Sequence, residues 1–183
     1  MADALYIIVG GVGVVLVWGI ATYNKFISLR ERSKNAWSQI DVQLKRRADL
    51  IPNLVNTVKG YAQHEKSTLE RIAQLRSKIV EGEPGERMAA NNLLSRTLKS
   101  LFAVVENYPE LKANKNFLAL QEELASTENR VAYARQAYND VTYLYNTMLK
   151  SFPSNVLGNL LNLDPLPYIE ANKKEKEVVN VEL

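Results

Sequence analysis

An all-α fold, in which an N-terminal transmembrane helix leads into an antiparallel bundle of long helices, follows from three features of the sequence. An uncharged, proline-free apolar run covers Leu5 to Ala21. Downstream, apolar residues recur at alternating steps of three and four over long stretches, and no period-two alternation of useful length occurs. The chain has 183 residues, 46% hydrophobic and 23% charged. Roughly 130 of them lie between the apolar run and the C-terminal tail, enough for one domain with a real core. The expected divisions are an anchor over 1–24, a bundle over 25–153 and a tail over 154–183.

With Ala4, Thr22 and Tyr23, the first run offers about twenty residues, the length a helix needs to cross a hydrocarbon core of about 30 Å. A cleaved signal peptide would begin with positive charge and end on small residues. This chain begins MADA and places Trp18, Ile20 and Tyr23 where small residues would be wanted, so an uncleaved anchor is expected. Gly10, Gly11, Gly13 and Gly19 give the helix a thin face on which a second helix can pack closely, and the first three are candidate assembly residues. Lys25, Arg30, Arg32, Lys34, Lys45, Arg46 and Arg47 follow the run against Glu31, Asp41 and Asp49, while only Asp3 precedes it. That asymmetry predicts a single-pass protein of the cytoplasmic (inner) membrane with a short N-terminus outside and the bundle in the cytoplasm. The basic residues are read as an orientation signal in contact with lipid headgroups rather than as a nucleic-acid surface.

Trp37, Ile40, Leu44, Arg47, Ile51, Leu54, Val58 and Tyr61 keep heptad-like, coiled-coil spacing, which lays one stripe of a helix against partner helices. Arg47 is the polar intruder, its stem able to pack while its guanidinium seeks a carboxylate. Pro52 lies inside the pattern without disturbing its register, which predicts a continuous helix kinked near Asp49–Pro52. Leu69, Ile72, Leu75 and Ile79 extend this helix toward Gly82. The sequence Glu81-Gly82-Glu83-Pro84-Gly85 is the clearest break. A shorter helix follows, burying Leu94, Leu98, Leu101, Phe102 and Val105 and ending near Asn107. YPELKANKN then turns the chain with at most one short helical piece. The third helix carries Phe117, Leu120, Leu124, Thr127, Val131, Ala134, Tyr138, Val141, Tyr145, Met148 and Phe152, and Pro153 stops it. In the tail, Ser154 is placed to cap a short helix that Asp164-Pro165 would end. Its leucines, among them Leu157, Leu160, Leu161 and Leu163, either fold back onto the bundle or dock on a neighbouring copy or another protein. The last residues, NKKEKEVVNVEL, are charged and then mildly β-prone.

Catalytic constellations are scarce. Absence of cysteine excludes disulfides, Cys-based zinc sites and thiol chemistry, and the single histidine, His64, has no partner ligands in metal-site spacing. No nucleophile, Walker-type or dinucleotide signature is present, so no cofactor and no metal is expected. The densest polar grouping comprises Arg46, Arg47, Asp49, Glu106, Glu128, Asn129, Arg135, Tyr138 and Asn139, read as an inter-helix network that fixes register. Should the chain be an enzyme, Arg46, Arg47, Asp49, Glu128 and Arg135 are the candidates. Tyr133, Tyr138, Tyr143 and Tyr145 read as core and rim rather than a base-stacking platform.

The stretches YNKFISLRERSKNAWSQIDVQLKRRADLIPNLVNTVKGYAQHE, ENYPELKANKNFLALQEELASTENRVAYARQAYNDVTYLYN and SFPSNVLG resemble the LemA family of bacterial proteins over nearly the whole chain. The resemblance implies a membrane-anchored helical bundle with its N-terminus outside. It also implies that Arg46, Arg47, Asp49, Pro52, Asn53, Glu106, Tyr108, Pro109, Glu128, Asn129, Arg135, Tyr138 and Asn139 are characteristic positions, none of them with an assigned catalytic role. Some members of the family are associated with building magnetosome membranes. The expectation is therefore a non-enzymatic scaffold that is a homo-oligomer at the membrane surface, partnered by the lipid bilayer and not by nucleic acid. The alternative is an adaptor that recruits or regulates another membrane protein, such as a protease or an envelope-stress component.

Overall fold

The structure, a computed structural model, describes residues 2–62 and 65–170. His64 and the charged segment 172–183 lie outside the described residues. The helices are α1 (Ala2–Lys59), α2 (Lys66–Glu81), α3 (Pro84–Val105), α4 (Pro109–Lys112), α5 (Lys115–Lys150) and α6 (Ser154–Leu160), and no strand occurs among the described residues. The apolar run is the N-terminal part of α1, long and apolar enough to cross a membrane, and its large apolar side chains from Tyr6 to Ile20 are exposed.

Four boundaries differ from those the spacing predicts. The helix expected to run from Trp37 to Gly82 is two helices, because the chain leaves α1 at Gly60, where the amides of Tyr61 and Ala62 both turn back to the Val58 carbonyl. The apolar spacing resumes in α2 and hides this break. The third long helix stops at Lys150, before Phe152, which is 84% exposed and not part of the buried stripe. Finally, Ser154 is the first residue of α6 rather than its cap, and its hydroxyl donates to the Met148 and Ser151 carbonyls at 2.6 and 2.9 Å. The helix ends at Leu160, ahead of Asp164-Pro165. Asn162 adopts φ 49°, its amide bonds Asn159 O and the Leu163 amide bonds Gly158 O, a Schellman turn that asparagine tolerates without glycine.

Contacts divide the chain into two units. One runs from Ser38 to Ala134; the other joins the N-terminal part of α1, as far as Trp37, to Arg135–Glu170. In the first, four helical segments each turn one apolar row inward: Ile40, Leu44, Ile51, Leu54 and Val58 from α1, Leu69 to Ile79 from α2, Leu94 to Val105 from α3, and Phe117, Leu124 and Val131 from α5. Phe102 meets Phe117 edge-on at 5.9 Å. The turn between α2 and α3 is fastened by Arg87, whose Nε donates to Ile79 O at 2.8 Å while Nη1 pairs with Asp41 at 2.7 Å. Asn114 starts α5, accepting the amides of Asn116 and Phe117 on its Oδ1.

Pro52 is accommodated inside α1 by a neighbour. Proline has no N–H to give to the carbonyl four residues back, which is that of Ala48, and Arg76 Nε of α2 donates to this carbonyl at 3.3 Å. Arg76→Ala is expected to cost about 1.5–3 kcal/mol, the worth of a hydrogen bond from a charged donor. In a Pro52→Ala background, where residue 52 reclaims the carbonyl, the cost should fall toward zero. Urea unfolding of the four proteins of this cycle checks it, and equal costs in the two backgrounds would refute the substitution of one donor for the other.

In the second unit the core is small and aromatic. Phe26 and Leu29 of α1 pack with Tyr145 of α5, Phe26 and Tyr145 meeting edge-on at 5.8 Å, and Met148, Leu149, Leu163 and Leu166 close around them. Trp37 and Tyr138 form a second edge-on pair at 5.6 Å. Position rising along α1 meets position falling along α5, so the two segments are antiparallel here. The tail thus folds back through Leu163 and Leu166, while Leu160 is 76% exposed.

Candidate functional site

Two polar constellations stand out, one in each unit. In the Ser38–Ala134 unit Arg47 is among the largest fully buried side chains, only 1% exposed. The heptad stripe of α1 carries it inward, and the facing stripe of α3 answers with a polar residue of its own, Asn91, where Leu94, Leu98 and Leu101 continue the row. Arg47 Nη1 donates to Asn91 Oδ1 at 2.8 Å and to Ser95 Oγ at 2.9 Å, and the Ser95 hydroxyl donates in turn to Asn91 O at 3.2 Å. Nη2 reaches Glu128 Oε2 of α5 at 3.5 Å. Nε meets no acceptor among the described residues. Burial lowers the guanidinium pKa and the Glu128 carboxylate partly opposes this. The charge is thus held by three helices around one fork of donors, a geometry suited to fixing register.

The other members of the polar grouping go elsewhere. Arg46 is bonded to Glu123 at the surface, Glu106 to Lys112, and Asp49 and Asn129 are exposed. Arg135, Tyr138 and Asn139 belong to the second unit. There Tyr138 and Asn139 have a job the spacing of the bundle does not reveal: they hold the tail. Asn139 Nδ2 donates to Ile169 O and its Oδ1 accepts the Ile169 amide, both at 2.9 Å. Asn146, one heptad later, makes the same pair of bonds to Leu166, both at 2.8 Å. The Tyr138 hydroxyl donates to Pro167 O at 3.0 Å.

The match is one of lengths. Two turns of helix advance about 10.5 Å, and three residues of extended chain about 9–10 Å, so side-chain amides seven apart on α5 meet backbone amides three apart on the tail. Pro165 and Pro167 flank Leu166 and carry no N–H that would need an acceptor. Sequence reasoning missed Asn146, Asn91, Ser95 and Glu123. The readable signals were the dipeptide Tyr-Asn repeated at heptad spacing, Tyr138-Asn139 and Tyr145-Asn146, and Asn91 lying on an apolar stripe.

Burial raises the pKa of the Tyr145 phenol; Arg30 lowers it and Asp164 raises it further. A phenol whose folded pKa exceeds its unfolded value of about 10 keeps its proton longer when folded. Its contribution to stability is complete below that pH and is lost as pH rises toward and through the folded pKa. We expect the stability of this unit to fall as pH rises above about 10, and Tyr145→Phe, which retains the ring against Phe26, to flatten that fall. An identical alkaline profile in the two proteins would remove Tyr145 as its source.

An antiparallel helical bundle that carries an apolar, membrane-length N-terminal helix and holds down its own tail defines the class of protein. The family model of the LemA family matches residues 36–183, and the chain belongs to that family. Among its relatives is Protein LemA of Metamycoplasma hominis, 23% identical over 90% of this chain and 76% of its own length. Magnetosome protein MamQ 2 of Paramagnetospirillum magneticum is 23% identical over 81% of this chain. Magnetosome protein MamQ of Magnetospirillum gryphiswaldense is 22% identical over 80%. The match spans 64% of the length of each of these two magnetosome proteins.

Proposed function

We propose that the chain is a non-enzymatic scaffold anchored in the bacterial cytoplasmic membrane, self-associating on its cytoplasmic surface and organising or shaping the membrane there. The observation that carries this reading is the N-terminal part of α1. It is exposed and apolar along its length and hollowed on one side by an open groove of about 540 Å³ lined by Gly10, Gly13, Val14, Val17, Trp18 and Ala21. Such a face allows two helices to approach closely in lipid. Because α1 continues without interruption into the bundle, whatever pairs the spans also brings bundles together. The basic residues that follow the span favour the cytoplasmic side. The named magnetosome relatives support a membrane-organising role, and the deep burial of Arg47 among Asn91 and Ser95 suits structure better than catalysis.

Light scattering of the full-length protein in detergent tests the proposal. Oligomers are expected at micromolar concentration, and Gly10→Ile combined with Gly13→Ile should shift them toward monomer. A monomer at every concentration would overturn it. An adaptor reading is favoured by a second open groove, about 620 Å³, where the end of α1 and the start of α5 present Leu50, Asn53, Asn56, Asn116 and Glu123. Its occupant would be another membrane protein, such as a protease or an envelope-stress component, and a pull-down recovering only the chain itself would count against it.

A further inference from the structure

The short helix α6 is turned the opposite way from a helix that covers a core. Its buried face is Gly158: a Cβ there would lie 2.6 Å from Leu149 Cδ1 and 3.7 Å from Phe26 Cζ, so the backbone itself is seated against α1 and α5. Val156 and Leu160, four residues apart, point outward at 59% and 76% exposure, and Phe152, in the turn just before the helix, is more exposed still. A helix with glycine inside and two large apolar side chains outside, next to an exposed phenylalanine, gains nothing from water.

The location of α6 indicates what covers that face. Phe26 lies five residues past Ala21, where the apolar run ends, which is about 7.5 Å along a helix. The headgroup layer on each side of a bilayer is about 5–8 Å deep, the difference between a core of about 30 Å and a full thickness of about 40–45 Å. With the span in a membrane, the residue against which Gly158 packs therefore stands within that layer. Lys25 and Arg30 on α1 and Lys150 at the end of α5 are exposed on the adjoining segments, as the rim of an apolar surface entering anionic lipid should be. Below α6, the Asn139 and Asn146 bonds tether the chain that leaves it.

We propose that Phe152, Val156 and Leu160 form a second membrane contact, a foot that inserts into the headgroup–acyl boundary of the same bilayer that α1 crosses. This rests on the anchor reading above, and it would fix the bundle to the membrane at two points instead of one. The foot adds to the span a contact sensitive to lipid packing.

The absence of native cysteine allows a direct test with the full chain in vesicles of phosphatidylcholine and phosphatidylglycerol. A small environment-sensitive fluorophore is attached in turn at Val156→Cys, Leu160→Cys, Asp140→Cys and Val14→Cys, and quenched with lipids brominated at shallow or deep acyl positions. The expected result is at least threefold stronger shallow quenching at 156 and 160 than at 140, with deep quenching at 14. Quenching at 14 while 156 and 160 behave like 140 overturns the foot and leaves the anchor standing. Blue-shifted, unquenched emission at 156 and 160 that rises with the protein-to-lipid ratio assigns the face to a second copy and also overturns it. No quenching at 14 removes the anchor reading and the foot together.

Discussion

Arg47→Ala should destabilise the Ser38–Ala134 unit by about 3–8 kcal/mol. Two effects add. The vacated volume is that of a large, fully buried side chain, and truncations of that size in a core cost about 2–5 kcal/mol. Asn91 Oδ1, itself buried, would lose its donor, at about 1–3 kcal/mol. Glu128 contributes much less: its side chain is 52% exposed, and the 3.5 Å contact is screened by water, so Glu128→Gln should cost no more than about 1 kcal/mol. Replacing both buried polar partners, Arg47→Met with Asn91→Leu, should recover most of the loss, because an apolar pair of similar volume has no charge to desolvate. Urea or thermal unfolding of the full-length protein in detergent measures all three variants against the parent. A loss in Glu128→Gln as large as in Arg47→Ala would mean that the ion pair, rather than burial and the Asn91 bond, dominates the site.

Removing the two asparagines should release the tail without unfolding the bundle. Asn139→Ala with Asn146→Ala deletes four hydrogen bonds, each worth about 1 kcal/mol net, so the local opening of residues 163–169 should become easier by about 3–4 kcal/mol. Amide exchange at Leu166 and Ile169 should accelerate by roughly 10²–10³. Asn146→Ala alone should account for the larger part, since Asn146 is buried and Asn139 only partly so. Hydrogen-exchange mass spectrometry of the tail reads this directly, and helices in the Ser38–Ala134 unit serve as the internal control. Unchanged exchange in the double variant would mean that Leu163 and Leu166, held by Phe26 and Tyr145, suffice without the clamp.

How far the sequence reveals this architecture depends on the kind of signal. Long stripes are readable because burial repeats every three or four residues: Ile40 to Val58 and Leu94 to Val105 are inward as the spacing requires. Breaks are less readable. Gly60 ends α1, yet the stripe resumes in phase at Leu69, so periodicity alone joins two helices into one. Asn162 ends α6 through a left-handed turn, a weaker mark than the nearby Asp164-Pro165. Polar sites are readable only where they interrupt an apolar row. Arg47 announces itself in that way, and Asn91 does so once the partner row is known. The Asn139 and Asn146 clamp leaves one mark, the Tyr-Asn pair repeated seven residues apart, but what it binds is backbone, which has no sequence signature beyond the prolines that flank Leu166. Glu106 and Asp49, drawn into the network by composition, are at the surface because nothing in helical spacing says which neighbour a charged side chain will choose.

The most direct measurement is an image of the full-length chain in lipid nanodiscs wide enough for several copies. We expect discs to hold more than one copy, with the spans in contact along the face carrying Gly10 and Gly13 and each span continuing as one helix into its bundle. Discs that hold single copies at every protein-to-lipid ratio, their spans surrounded only by lipid, would contradict a self-associating membrane scaffold.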